Sequence, residues 1–436
     1  MRQNNTLSKR VFRRIDHRVL AVLSFAYVIN CVDRANISFA HLSMNADLHL
    51  TEADYGVAVG IFYLGYVLFE LPSAWLFKKI GAPRTFSRIM ILWGLVGMAM
   101  FFCTDKIQFY GLRFLLGVFE AGFSPLALYV LSLWYPPEKM GRAISIQQIA
   151  GPLSGVLVGI LSGFIITTMH DVWGISGWRW MFVIESLPAV CLGIWILFFL
   201  PAGPQEATWL NTEEKIFLKN SFYLSNEQTV HSASTFSTPH IRSLFMLAVP
   251  FIFIVCGNDI FSFWLPHFIQ STHIQSNMHI GFLSSIPYLF ATCVMLIAGR
   301  LADTALSIRK NLCAVFCLIA ASALIFLAYD SKSLISVLAC STIGLASLYG
   351  AYVVFWTLPK SVMINPPSST DFAAINTCGM IAGIVCPIIV GKLATQTGGF
   401  ALSELGTALL MFCAAAFLTI PYKKHHSIIH IKLRNE

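Results

Sequence analysis

The sequence predicts an all-α integral membrane protein, with twelve transmembrane helices in two pseudo-symmetric six-helix bundles. Three observations carry that prediction. Of the 436 residues, 56% are apolar and 11% charged, and the mean hydropathy of +0.71 lies far outside the range of soluble domains. Windows of about 20 mostly apolar residues, the length one helix needs to cross a bilayer, recur along almost the whole chain. A single long polar interruption, 201–241, leaves six such windows on either side. A soluble enzyme is excluded.

A basic tail (1–18) precedes the first bundle, 19–200, whose spans fall at 19–41, 54–77, 86–103, 107–134, 142–167 and 178–200. Pro201, Gly203 and Pro204 end the sixth span and open the 201–241 loop. "NTEE" then starts a short amphipathic helix, with Asn211 as cap and Glu214 reaching back to it. The second bundle, 242–421, has spans at 242–269, 278–301, 310–329, 333–358, 370–394 and 400–421, and the tail 422–436 follows. About 23 of the 29 Lys and Arg residues fall on one side of this map, which the positive-inside rule makes the cytoplasm. Both termini are therefore expected in the cytoplasm of what reads as a bacterial inner-membrane protein. The net charge of +8 is a topology signal and needs no nucleic acid to explain it.

The first span carries an ion pair and lacks a convincing A-x-A site, so it reads as a retained helix and not a cleaved signal peptide. All 11 cysteines fall in or at the ends of spans, and no C-x-x-C occurs. They read as buried free thiols, with neither disulfides nor a zinc site implied.

The two bundles resemble each other in sequence. The fifth span has Gly151, Gly155, Gly159 and Gly163; about 228 residues later the eleventh has Gly379, Gly383, Pro387 and Gly391. "AWLFKKIGAPR" closing the second span is matched, about 225 residues on, by "GRLAD" closing the eighth. A glycine every fourth residue makes one smooth helix stripe on which another helix can pack closely. Two similar bundles facing each other is the plan of rocking transporters, whose site lies near the midplane between repeats.

Against this apolar background "NCVDRANISFA" (30–40) stands out. A charge at the bilayer centre costs roughly 2.5–3.5 kcal/mol even on the lenient insertion scale, so such residues face water or each other. Asn30 and Arg34 are one turn apart, as are Asp33 and Asn36, and the pairs share a broad polar sector. On the fourth span Arg113 and Glu120 lie seven residues apart, about 10.5 Å along one face. Each helix thus offers one acid and one Arg, and the four are expected to meet in a wet central chamber. A static ion bridge between the helices is the alternative. In the functional reading an acid releases its Arg by taking a proton, and a cargo carboxylate then occupies the guanidinium's planar fork.

"YVINCVDRANISFA", "FYLGYVLFELPS", "RFLLGVFEAGFSPLALYVLSLWYPP" and "GWRWMFVIESLPA" resemble the anion:cation symporter family of the major facilitator superfamily. The resemblance covers nearly the whole chain and is closest to the tartrate, phthalate and aromatic-acid permease branch. It implies the major facilitator fold and import of an organic anion with protons. It also implies Asp33 and Glu120 as protonation sites, Arg34 as the ligand of the cargo carboxylate, and Arg113 as partner of the acids. Tyr66 and Asn376 match substrate-contacting positions, and Trp356 an aromatic wall. Asp303 matches the gating-loop acid of the second half. In the first half Lys78 stands where that acid is usual, Ala74 replaces a glycine, and Cys31 replaces a common aromatic.

Further cavity candidates are Asn30, Tyr63, Asn258, Asp259 and Tyr288. Gln147 is another, with a helix-to-helix hydrogen bond as its alternative. Trp264 and Pro266 are expected to break the seventh span, Glu185 to pack or pair with Arg179, and His267 to be exposed at the outer end. A rival function is proton-coupled drug efflux, because "IAGPLSGVLVG" (149–159) half-matches the antiporter Gly-Pro motif, although Gln147 replaces its first glycine. A membrane sensor on the same fold is a third reading, without a soluble domain to carry its signal. The expected partners are a small organic anion, protons and the lipid bilayer. No cofactor, metal or obligate protein partner is implied.

Overall fold

The computed structural model describes residues 2–226, 238–304, 308–359 and 369–420. The helices are α1 (Arg2–Ile15), a π-helical turn (Asp16–Leu20), α2 (Ala21–Ala35), α3 (Ile37–Leu48), α4 (Glu52–Ala99), α5 (Lys106–Glu120), α6 (Phe123–Trp134), α7 (Pro137–Gln148) and α8 (Ala150–Thr168). They continue as α9 (Gly177–Phe199), α10 (Thr212–Asn226), α11 (Thr238–Gln270), α12 (Asn277–Thr304), α13 (Arg309–Tyr329), α14 (Leu334–Phe355), α15 (Ser369–Thr397) and α16 (Ala401–Thr419). No strand occurs among the described residues. Eleven helical stretches there are long and apolar enough to cross a membrane. Bulky apolar side chains such as Leu71, Phe198, Phe199 and Ile335 stand exposed on their outer faces, as a lipid solvent requires.

Local chemistry sets the helix ends. Thr51 and Asp54 form a reciprocal capping box at the start of α4, and the Asp105 side chain accepts from the Ile107 and Gln108 amides to cap α5. The 48 residues of α4 cover both the second and third spans of the sequence reading. Gly81, at φ 77°, turns the chain within it, a conformation other L-residues rarely adopt. A second break was not anticipated: 107–134 was read as one span, yet Ala121 and Gly122 (φ 87°) separate α5 from α6. A Cβ at Gly122 would come within 2.9 Å of the Ser73 hydroxyl, so this turn also needs glycine for space.

The tail before the first span is helical and continues into α2 through the π-helical turn. Tyr135 donates to Asp16 at 2.6 Å and Arg142 pairs with the same carboxylate at 3.3 Å. Burial and the Asp16 carboxylate together push the Tyr135 phenol well above its ordinary range. The "NTEE" helix forms as α10: Glu214 accepts from the Asn211 amide at 3.0 Å and also holds Arg10 (3.3 Å) and Arg14 (3.0 Å) of α1. The C-terminal tail after 420 and most of the remaining central loop lie outside the described residues.

The two halves meet along seams between α4 and α15, α8 and α12, and α3 and α11. Glycine stripes build the first two. A Cβ at Gly159 would sit 2.6 Å from the Gly281 carbonyl, and one at Gly391 would sit 2.2 Å from that of Glu52. The matched Gly163 and Gly391 thus do the same work in each half, allowing backbones to touch across the interface. The backbone approaches at Gly56, Gly163 and Gly391 lie against residues 387–391, 277–281 and 52–56, whereas Gly155 and Gly383 meet Tyr288 and Tyr63 deeper in the helices.

Candidate functional site

Glu120 is the last residue of α5, where the helix dipole is negative and a carboxylate needs a cation. Arg34, in the last turn of α2, supplies it: its Nε donates to Glu120 Oε1. Glu120 is fully buried and the Arg34 side chain is 21% exposed. The Arg34 guanidinium also lies 4.9 Å from the Tyr66 ring centre and 5.5 Å from that of Phe62. Register explains the meeting: Arg34 lies 14 residues before Leu48, the end of α3, while Tyr66 and Glu120 lie 14 residues after Glu52 and Lys106, the starts of α4 and α5. At 1.5 Å per residue all three sit about 21 Å in, near the middle of a bilayer.

Arg113 lies against the same Phe62 ring, 4.8 Å from its centre, and is 1% exposed. Its Nε reaches the Ala58 carbonyl at 3.4 Å, and no ion pair to it occurs among the described residues. Phe62 therefore sits between two guanidinium groups. Asp33 departs further from expectation. It is 3% exposed and accepts from Trp93 Nε1 at 2.8 Å and from the Ser186 hydroxyl at 3.1 Å. The structure thus brings Arg34 and Glu120 together and turns Asp33 into the packing between α2, α4 and α9. The reason is helical geometry: adjacent residues point about 100° apart, so Asp33 and Arg34 cannot share one narrow face. The sequence alone did not single out Trp93 or Ser186, since one Trp and one Ser on apolar spans look like ordinary core.

Several buried polar atoms of the first bundle, two of them in the pair itself, have no hydrogen-bond partner among the described residues. Arg34 Nη2, Glu120 Oε2, Arg113 Nη1, Gln147 Oε1 and both side-chain atoms of Asn30 are buried with no hydrogen-bond partner. Across the seam Asn258 Oδ1 and Asp259 Oδ2 are in the same condition. Unsatisfied buried groups in such numbers are uncommon in proteins and mark places where water or a ligand belongs. Asp259 is 6% exposed. Tyr63 packs edge-on against Phe263 across the seam at 6.5 Å, and Tyr288 lies against Gly155. Trp356 packs on Phe251 at 4.9 Å, and Gly379 of α15 closes on the same ring. Asn376, one turn before Gly379, is half-buried on α15. Asp303 falls in the last turn of α12, with its side chain outside those described.

Two expectations fail, and of the two alternatives for Glu185 the packing one holds. The α11 helix runs unbroken through Pro266 to Gln270, the proline lying only one turn from its end. Arg179 pairs with the Phe101 carbonyl, not with Glu185, which accepts from Ser162 at 2.7 Å. His267 is not an exposed end residue: it is half-buried, its ring 5.0 Å from Phe400 and 5.7 Å from His41.

Comparisons with known proteins agree with this architecture. The family model of the Major Facilitator Superfamily matches residues 23–387. A candidate metabolite transport protein, NicT, from Pseudomonas putida is 35% identical, covering 90% of each chain. A quinolone resistance transporter from Acinetobacter baumannii is 34% identical over 95% of this chain and 96% of its own. A candidate tartrate transporter from Agrobacterium vitis is 33% identical over 91% of each. Among solved structures, the inward open xylose transporter XylE from Escherichia coli superposes with a TM-score of 0.75 at 16% identity, covering 94% of this chain and 97% of that one.

Proposed function

This chain belongs to the Major Facilitator Superfamily, and from that premise we propose that it imports a small organic anion together with protons by alternating access. It is a transporter and not an enzyme. The observation that carries the reading is the Arg34–Glu120 pair, buried at mid-depth with unused hydrogen-bonding capacity on both partners. A carboxylate cargo competes with Glu120 for one guanidinium. When Glu120 takes a proton it becomes neutral and gives up its hold, and the cargo completes the fork with Nε and Nη2 of Arg34. The charge count of the site is then the same before and after, so the loaded bundles can rock. Tyr66 and Phe62 hold the guanidinium from its faces, while Trp356, Tyr352 and Asn376 form the opposing wall. Asp33 acts as a second protonation site, linked through Trp93 and Ser186 to the packing of the first bundle.

The continuous α4, turned at Gly81, counts as two crossings in this reading, which makes twelve among the described residues. With the basic ends in the cytoplasm, the glycine seams close the outer side, and the conformation described is shut to the exterior. The relatives named for tartrate and metabolite transport support an organic anion as cargo. The quinolone resistance relative favours a second reading, proton-driven drug export through the same fold.

Counterflow in proteoliposomes tests the proposal. Tartrate, a sugar acid, phthalate and 4-hydroxyphenylacetate are each loaded and exchanged against their labelled forms. Exchange of at least one, lost in Arg34→Ala, is the expected result. Quinolone-dependent proton release with no carboxylate exchange would overturn it in favour of export.

A further inference from the structure

We propose that His41, Glu52 and His267 form a divalent transition-metal site, of the zinc type, that clamps the two bundles together at the outer seam. The donor atoms of these three side chains all lie within 4.8 Å of one another. They come from three helices: His41 from α3, Glu52 from the first turn of α4, and His267 from the last turn of α11. His41 Nε2 and Glu52 Oε1 are already 2.9 Å apart.

The surroundings are those of a supported site and not of a surface cluster. His41 is 1% exposed and its ring stacks 4.0 Å from that of Tyr55. Its Nδ1 is buried without a hydrogen-bond partner among the described residues. The remaining oxygen of Glu52 accepts from Trp264 Nε1 at 3.0 Å, and Asn45 Nδ2 approaches Oε1 at 3.4 Å. Such outer contacts orient a ligating carboxylate. Tyr55 fixes the seam beside it, donating to the Phe263 carbonyl at 3.1 Å.

Two imidazoles and one carboxylate suit Zn²⁺, which binds them at about 2.0–2.2 Å and keeps a fourth position for water. Tetrahedral angles at those lengths space the donors about 3.3 Å apart. Small side-chain rotations from the present spacing therefore bring all three onto one ion.

The division of ligands gives the site a consequence. His41 and Glu52 belong to one bundle and His267 to the other, so opening the outer seam removes one ligand of three. The ion then binds the sealed conformation more tightly than the open one, and it shifts the population by that difference alone. A metal caught there holds the outer side shut and slows turnover. This goes beyond the anion reading, and its binding arm does not depend on which cargo is carried.

The test uses the full chain, purified in detergent and titrated with ZnCl₂, followed by calorimetry and by thermal unfolding. His425, His426 and His430 of the C-terminal tail can bind zinc independently, so the readout is the difference between parent and His267→Ala. The expected result is one site in the parent whose affinity falls roughly tenfold or more in His267→Ala. His267→Cys restores it, because a thiolate is a zinc ligand. Externally added ZnCl₂ should slow counterflow of the parent and spare His267→Ala. If His267→Ala is not monodisperse, His267→Gln replaces it, keeping hydrogen bonding without good zinc ligation. Equal zinc stoichiometry and equal thermal shift in parent and variant, or a Cys variant no better than Ala, would overturn the proposal and leave a hydrogen-bonded latch.

Discussion

Replacing Glu120 with glutamine removes the negative partner of Arg34 and keeps its shape. Unit charges about 3–4 Å apart at an effective dielectric near 20 attract by on the order of 4–5 kcal/mol. Glutamine still accepts from Arg34 Nε, which retains about 1 kcal/mol. Because the Arg34 side chain is 21% exposed and backed by two aromatic faces, solvent and rings recover part of the rest. That leaves about 2–3 kcal/mol that a cargo carboxylate no longer has to displace, a roughly 30- to 150-fold gain in affinity at pH 7.5. Because the proposed exchange takes up a proton as the anion binds, parental affinity should rise toward lower pH and approach that of the variant. The assay is a titration of purified parent and Glu120→Gln with an exchanging carboxylate at pH 5.5 and 7.5, with counterflow and proton-driven uptake run in parallel. Tighter, pH-independent binding with intact counterflow and no accumulation is expected. Weaker binding in the variant, or an unchanged pH dependence, would refute the competition.

Other perturbations separate the remaining parts. Asp33→Asn can still accept from Trp93 and donate to Ser186, so stability should hold within about 1 kcal/mol while proton-driven uptake is lost and exchange survives. Asp33→Ala leaves the Trp93 N–H and the Ser186 hydroxyl buried without a partner and should lose about 2–4 kcal/mol in thermal unfolding. Gly159→Val places a branched side chain where the Gly281 carbonyl and Ser285 hydroxyl already stand 2.6 and 2.5 Å from a Cβ. It should keep the outer seam from sealing, read as faster amide exchange over 277–288 and reduced transport. Glu214→Ala releases both the α10 start and the α1 arginines, so exchange over 212–226 should accelerate with counterflow unchanged.

Much of this architecture was legible in the sequence because a bilayer imposes strong patterns. Apolar windows, a lone polar loop and glycines at a repeated offset are linear signals, and the α8–α12 and α4–α15 seams follow from the last of them. What the sequence concealed was direction. Asp33 and Arg34 are neighbours in the chain, yet one helical step sends one into packing and the other to Glu120. The partners of Asp33, Trp93 and Ser186, come from spans 60 and 153 positions away, which no local spacing reveals. The break at Gly122 was missed because glycine is common in membrane helices, and only the approach of Ser73 shows why it is needed there. His267 looked like a water-facing end residue for a related reason. Its partners are Phe400, which caps α16 far along the chain, and His41, which belongs to the other bundle and becomes a neighbour only when the seam closes.

The central claim is that cargo and proton exchange places on Arg34 and Glu120. Calorimetry of carboxylate binding at pH 7.5, repeated in buffers of different ionisation enthalpy, counts the protons taken up. The account predicts close to one proton bound per anion in the parent and none in Glu120→Gln. Anion binding without proton uptake in the parent, or the same uptake in both proteins, would contradict it.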